Sequence, residues 1–226
     1  MRRRHLISWL FTVVFVVVLL PLPVWATGCL QGNGLPGEQS RTLADFERIV
    51  VQGAFTVQVR IGAETSCLVR GDNNLLDEVA TLVDDGELLI APRTALGLKQ
   101  PLVVEVQTPT LTAIHAEGAH VVEVDGVLSS ALELVFNGAC RGIVRGEVSL
   151  LDAEMYGVST LEAQDLICCD ASITANGTTV TQLQVKKSLS VHASGIAEIL
   201  YRGEPELTEV VLTGRAAVVS LTQPAE

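Results

Sequence analysis

Glycine returns at a nearly constant interval along the C-terminal half of the chain, at Gly118, Gly138, Gly157, Gly177, Gly195 and Gly214. A step this regular confines the fold to stacked units of nearly equal length. Side chains keep fixed offsets from these glycines. Four residues before them stand Ile114, Leu134, Ala153, Ile173, Val191 and Val210, and two before them Ala116, Phe136, Met155, Ala175, Ala193 and Leu212. Four after them stand Val122, Gly142, Leu161, Thr181, Ile199 and Val218, and six after them Val124, Val144, Ala163, Leu183, Tyr201 and Ser220. The residue just before each glycine is mostly polar: Glu117, Asn137, Tyr156, Asn176, Ser194 and Thr213. Apolar residues at even offsets describe strands with one buried face. The expectation is an all-β, parallel β-helix-like solenoid with rungs of about 19 residues, each about 4.8 Å from the next. An antiparallel sandwich also alternates and turns on glycine; the register of side-chain classes across six units favours the solenoid.

Gly53, with Ile49 and Val51 before it and Val57 and Val59 after it, opens the same pattern. It lies far more than one repeat ahead of Gly118, so residues 62–101 read as an insertion or cap at the N-terminal end. Within it Asp85-Gly86 joins two apolar runs, 80–83 and 88–90, as a hairpin turn does. Asp72-Asn73-Asn74 is placed to cap one short helical turn. Such an element would cover terminal strands whose backbone is otherwise unpaired.

The N-terminus reads as an export signal. Arg2, Arg3 and Arg4 precede an uncharged apolar run over residues 6–20, followed by Pro21, Pro23 and small residues. Val24-Trp25-Ala26 suits cleavage after Ala26. Ala26-Thr27-Gly28-Cys29 resembles a lipobox, with Ala26 in the place of the usual leucine, and makes Cys29 the candidate lipidated residue. Residues 6–26 are also long enough to remain as a membrane anchor. The preferred division is a lipoprotein-type signal over 1–28, a flexible Gly/Pro-rich tether over 29–40 and one β domain over 41–223. Each of the three readings places that domain outside the cytoplasm, in the cell envelope.

Lys and Arg number 15 and Asp and Glu 26; the segment 1–28 removes three arginines and no acid, which leaves a net charge near −14. Nucleic acid and anionic membrane surfaces are poor partners for that balance. Both tryptophans, Trp9 and Trp25, lie in the leader, and the five aromatics beyond it offer no stacking platform. Cys67, Cys140, Cys168 and Cys169 match no zinc spacing and read as buried thiols or one disulfide.

His115 and His192 share the outward parity but stand four rungs apart, about 19 Å, too far for one metal ion. His120 takes the inward parity and is expected packed and hydrogen-bonded. The acids Glu117, Glu123, Glu154, Glu162 and Glu198 point outward as a solvated face. No catalytic, cofactor-binding or metal-ligating set emerges from these spacings.

The runs Gly28-Cys29-Leu30-Gln31-Gly32-Asn33-Gly34 and Val51-Gln52-Gly53-Ala54-Phe55-Thr56-Val57 are similar to those of the bacterial head GIN domain family, also labelled "putative auto-transporter adhesin". So are Gly71-Asp72-Asn73-Asn74-Leu75-Leu76, Glu117-Gly118-Ala119, Asn137-Gly138-Ala139 and Tyr201-Arg202-Gly203-Glu204-Pro205. The family's Gly-Ala-Gly is altered here, with His120, Cys140, Ser159 and Ala197 in place of the second glycine. The resemblance implies a right-handed β-helix-like stack on an exported, often lipid-anchored envelope protein, and it brings no catalytic residues. The function it favours is adhesin-like binding or scaffolding of an envelope or surface protein or glycan. Two alternatives remain: a carbohydrate-active enzyme on the same scaffold, and a small-ligand or ion sensor using residues 62–101, which would need a pocket with convergent polar groups.

Overall fold

The computed structural model describes residues 28–221, so the expectations for residues 1–27 lie outside the described residues. The chain is all-β: β1 (Leu30–Gln31), β2 (Pro36–Arg41), β3 (Arg48–Gly53), β4 (Thr56–Ile61), β5 (Ser66–Asp72), β6 (Val79–Asp84), β7 (Glu87–Pro92), β8 (Leu96–Gly97), β9 (Val103–Thr108), β10 (Ala113–Arg202), β11 (Glu206–Leu212) and β12 (Ala217–Ser220). One 3-10 turn, Leu76–Glu78, is the sole helical element among the described residues.

β10 alone holds 90 residues, which would reach about 300 Å if straight. Instead its glycines seat one upon another. Gly118 packs on the carbonyl of Gly53, Gly138 on that of Gly118, and Gly157, Gly177, Gly195 and Gly214 each on that of its predecessor. A Cβ on Gly157 would come within 2.6 Å of the Gly138 oxygen, and Gly138 has φ +124°, a region L side chains rarely occupy. Glycine is therefore required twice over, by contact and by conformation.

The pairings around this ladder are parallel and in step. Gly118 pairs with Gly53 and Ile114 with Ile49 where β10 meets β3, and Val122 pairs with Val57 where it meets β4. β11 and β12 pair parallel with the end of β10, Val191 opposite Val210 and Ile199 opposite Val218. The even offsets point inward: Ile114, Ala116, Val122 and Val124 are buried, as are Ile173, Ala175, Val191, Ala193 and Ile199. Gly142 occupies an inward position because Phe136 fills the space, its ring where a Gly142 Cβ would stand. Thr181, also inward, donates its hydroxyl to Met155 Sδ at 3.7 Å.

At the N-terminal end residues 62–101 do more than cover the stack. β7 pairs parallel with β3, placing Leu88 and Ile90 against Ile49 and Val51, and β9 pairs parallel with β4, placing Val104 and Val106 against Val57 and Val59. β6 closes β7 by the expected hairpin, with Asp85 at φ 46° and Gly86 at φ 71°. β5 runs antiparallel to β9 and β2 antiparallel to β5.

Two expectations are corrected here. The segment 29–40 is not a free tether throughout, since residues 30–31 and 36–40 lie in β1 and β2, paired with β8 and β5. The 3-10 turn has Leu75 at its N-cap and no capping side chain. Asp72 is fully buried and accepts the amides of Gly34 (2.6 Å), Lys99 (2.8 Å) and Gln100 (3.0 Å), so its carboxylate fastens three chain segments together.

Candidate functional site: the laddered outer face

Outward side chains meet partners on other strands of the stack, most of them one or two repeats away in sequence. Gln58 Nε2 donates to Glu123 at 3.1 Å, and Arg141 reaches Glu162 at 2.8 Å. Arg145 lies 3.9 Å from Asp165, Lys186 3.4 Å from Glu147, and Ser188 donates to Asp170 at 2.6 Å. The hydrogen bond from Arg141 to Glu162, reinforced by their opposite charges, raises the guanidinium pKa further. Pairs this exposed are screened by water and add little to stability. Their structural effect is an ordered surface of alternating sign. The sequence reading of a uniformly solvated acid face misses this pairing, although the signal was there: Asp165 follows Arg145, and Glu162 follows Arg141, by close to one repeat.

Arg60 pairs in register with Asp125. With Gln58, Glu123 and Arg145 they line a depression of about 170 Å³ on this face. It is the place where acids and arginines concentrate. His115 and His192 stand apart, as expected, each beside a glutamate of its neighbouring repeat: Glu133 at 3.1 Å and Glu209 at 3.3 Å. Among the described residues no three His, Cys, Asp or Glu side chains converge as a metal site would require.

Inside the stack, two residues after each glycine, runs a polar column of His120, Cys140, Ser159 and Thr179, all buried. The His120 Nε2–H donates to the Glu117 carbonyl at 3.0 Å and Nδ1 accepts the Phe55 amide at 3.3 Å. That arrangement uses the neutral imidazole, and burial lowers its pKa against the opposing effect of the two bonds. Ser159 donates to the Tyr156 carbonyl at 3.2 Å, three residues back, as His120 does, and Cys140 points its thiol at the Gly118 carbonyl at 3.7 Å. These side chains serve the glycine bends. Thr179 Oγ1 is buried with no partner.

All five described cysteines are free. Burial pushes the Cys67 thiol up to about 11 and that of Cys168 to about 12, so neither supplies a thiolate at neutral pH. Cys29 is exposed and immediately precedes β1. A pocket of about 200 Å³ does lie beneath residues 62–101, but Phe55, Pro92, Leu96, Leu98 and Leu102 dominate its lining. That lining lacks convergent polar groups; a second depression of about 400 Å³ against the same segment brings together Glu38, Arg70 and Gln100 beside Pro36 and Pro101.

Parallel-paired repeats, glycine bends and a laddered face define a repetitive all-β protein. The family model described as "putative auto-transporter adhesin, head GIN domain" matches residues 45–145 and 129–205, and the chain belongs to that family. Among solved structures, a putative adhesin from Bacteroides fragilis superposes with a TM-score of 0.68 at 15% identity, over 84% of this chain and 98% of that one. A putative adhesin from Parabacteroides merdae gives 0.56 at 15% identity, over 85% and 99%. A protein described as a putative lipid binding protein, from Parabacteroides distasonis, gives 0.50 at 15% identity, over 86% and 100%. At these identities the likeness is one of fold. No curated protein matches the chain.

Proposed function

We propose that this chain is a non-enzymatic, exported domain of the cell envelope whose laddered outer face binds or scaffolds other surface components in the manner of an adhesin. Residues 41–223 form one right-handed β-helix with rungs of about 19 residues, and a lipid on Cys29, following a signal over 1–28, holds it to the membrane. Glycine-on-carbonyl contacts from Gly53 to Gly214 and the in-step parallel pairings support the rungs. The observation that carries the function is the outer face itself. Its charged residues pair across rungs through Arg141–Glu162, Arg145–Asp165 and Lys186–Glu147, which gives the face a repeating pattern of opposite charges. A preorganised surface loses little conformational entropy when a protein or glycan docks on it. The family description and the like fold of two proteins described as putative adhesins support the same reading.

The test is retention of envelope protein and glycan fractions on the immobilised domain. The double variant Arg141→Glu with Arg145→Glu should lose most of that retention while keeping its strand signal. Equal retention by the variant would remove the face from the function. The depression lined by Arg60, Glu123, Asp125 and Arg145 favours one second reading, a carbohydrate-active enzyme. Turnover of a polysaccharide panel that disappears in Asp125→Asn would establish it in place of the first.

A further inference from the structure

Where the chain leaves the membrane, the fold presents a surface suited to it. β1 starts one residue after Cys29 and is fastened at once, Leu30 N–H to the Ala95 carbonyl at 2.9 Å and Gly32 N–H to the Gly97 carbonyl at 2.7 Å. An extended residue spans at most about 3.6 Å. A lipid on Cys29 therefore leaves the domain no slack to stand away from the bilayer. This step rests on the anchoring proposed above.

The residues beside that attachment point are apolar and exposed: Leu30 at 38%, Leu35 at 59% and Leu98 at 39%. They form one neighbourhood. Leu30 pairs with Leu96, Gln100 Nε2 reaches the Gly34 carbonyl at 3.5 Å, and a Cβ on Gly34 would touch the Lys99 side chain at 3.6 Å. Large exposed apolar groups gathered in this way mark an interaction site.

Charge points in the same direction. The chain carries 26 acids, yet residues 28–37 and 93–104 contain none, while Arg93 and Lys99 lie in the second segment and are exposed. Of the acids close by, Asp72 is buried and spends its oxygens on the amides of Gly34, Lys99 and Gln100, Glu38 faces Arg70 at 3.4 Å, Glu78 lies beside Arg93, and Asp77 accepts from Gln39 at 2.9 Å. An acidic protein that meets an anionic bilayer needs an acid-poor patch with cations of its own, because each acid near the surface repels the headgroups and each cation is attracted.

We infer that the N-terminal cap, through Leu30, Leu35 and Leu98 with Lys99 and Arg93, rests directly on an anionic phospholipid leaflet, so that the stack rises from the membrane with its C-terminal repeat outermost. Inserted leucines contribute by burial and the cations by attraction to headgroups. Surface proteins and glycans are then met by the outer face and the far end, not by the cap.

Tryptophan quenching tests this, because both natural tryptophans, Trp9 and Trp25, lie in the leader. Full chains carrying Leu35→Trp or Val158→Trp are isolated from membranes and placed in phosphatidylethanolamine/phosphatidylglycerol nanodiscs with ordinary or brominated acyl chains, the parent chain giving the background. Emission from position 35 should fall at least twofold in brominated discs, and that from position 158 by less than a tenth. Equal, negligible quenching at both positions, in discs whose protein mass shows an acylated Cys29, overturns the docking and leaves the anchor standing. If the mass shows unmodified Cys29 and no leader, the anchor fails instead. The docking is then decided by flotation of that mature chain with phosphatidylglycerol vesicles. Flotation that drops at least fivefold in Leu35→Glu with Leu98→Glu sustains it, and absence of flotation overturns it.

Discussion

The two ends of the stack carry the same kind of residue at the same inward positions and meet opposite fates. At the N-terminal end Leu88 and Ile90 are fully buried, because β6 closes one side and β3 covers the other. At the C-terminal end Val210 and Leu212, which hold the offsets of Val191 and Ala193 one repeat earlier, are exposed at 40% and 38%. Val191 is buried because β11 lies over it; nothing among the described residues lies over β11 in turn. Burial here belongs to the neighbouring repeat more than to the residue, which is how a quasi-one-dimensional fold distributes its stability.

The contrast can be broken by paired substitutions. The largest difference is expected between Gly138→Ala and Gly214→Ala. Gly138 lies between two repeats, at φ +124°, with the Gly118 carbonyl where a methyl would go. Its replacement should cost about 3 kcal/mol or more in chemical denaturation. Gly214 is terminal and its strain can be relieved by fraying, so the cost should stay below about 1 kcal/mol. Equal costs would mean that the last repeat is held as firmly as the middle.

Cavity formation should follow the same order on a smaller scale. Ile90→Ala empties a fully buried site and is expected to cost about 2–4 kcal/mol, whereas Val210→Ala at the open end should cost about 0.5 kcal/mol.

Acid should act on the covered end and the bends before it acts on the open repeat. Burial raises the pKa of Asp72, but three amide hydrogen bonds and the charge of Lys99 outweigh it and hold the carboxyl below the ordinary range. Its contribution is present above the unfolded pKa, near 4, and is lost as pH falls through the lower folded value. His120 is likewise depressed, so its contribution is lost as pH falls from about 6.5 toward its folded pKa, as the unfolded state takes up the proton first. Asp72→Asn should flatten the denaturation midpoint below about pH 4, and His120→Gln should flatten it just below about pH 6.5. Unchanged slopes in both variants would assign acid sensitivity elsewhere.

The smallest effect is kinetic. In a chain made without residues 1–28, so that no lipid occupies its sulfur, the exposed Cys29 should react with a thiol reagent in the native state, while Cys67 and Cys168 wait for opening of β5 and of the stack. Reaction of Cys67 ahead of Cys29 would contradict the closed N-terminal end.

Much of this was legible in the sequence because the repeat supplies its own register. Once Gly118 and Gly138 are aligned, the inward set follows, and Ile173, Val191 and the packed His120 fall where the alternation puts them. Asp85-Gly86 was equally plain, since a two-residue turn is specified locally. What escaped depends on groups distant in sequence. Asp72 looked like a helix cap because its true partners, Gly34, Lys99 and Gln100, are remote from it along the chain. Segment 29–40 looked like a tether because Gly and Pro say nothing of β5, which pairs with β2. Gly142 is a void only until Phe136 is placed beside it. On the outer face the acids were visible but their pairing across repeats was not, and that pairing turns a solvated surface into a candidate binding one.

The seating of each glycine on the carbonyl of the one before also governs how such a protein can change length. Each bend is a mould for the next, so a segment that carries one bend cleanly to another can be duplicated or lost and the remaining contacts still close. A gain or loss of half a repeat would bring a side chain onto a carbonyl that admits only hydrogen. Descendants of this chain can therefore grow taller or shorter by whole storeys, and the height at which the outermost repeat stands above its base is set by counting glycines.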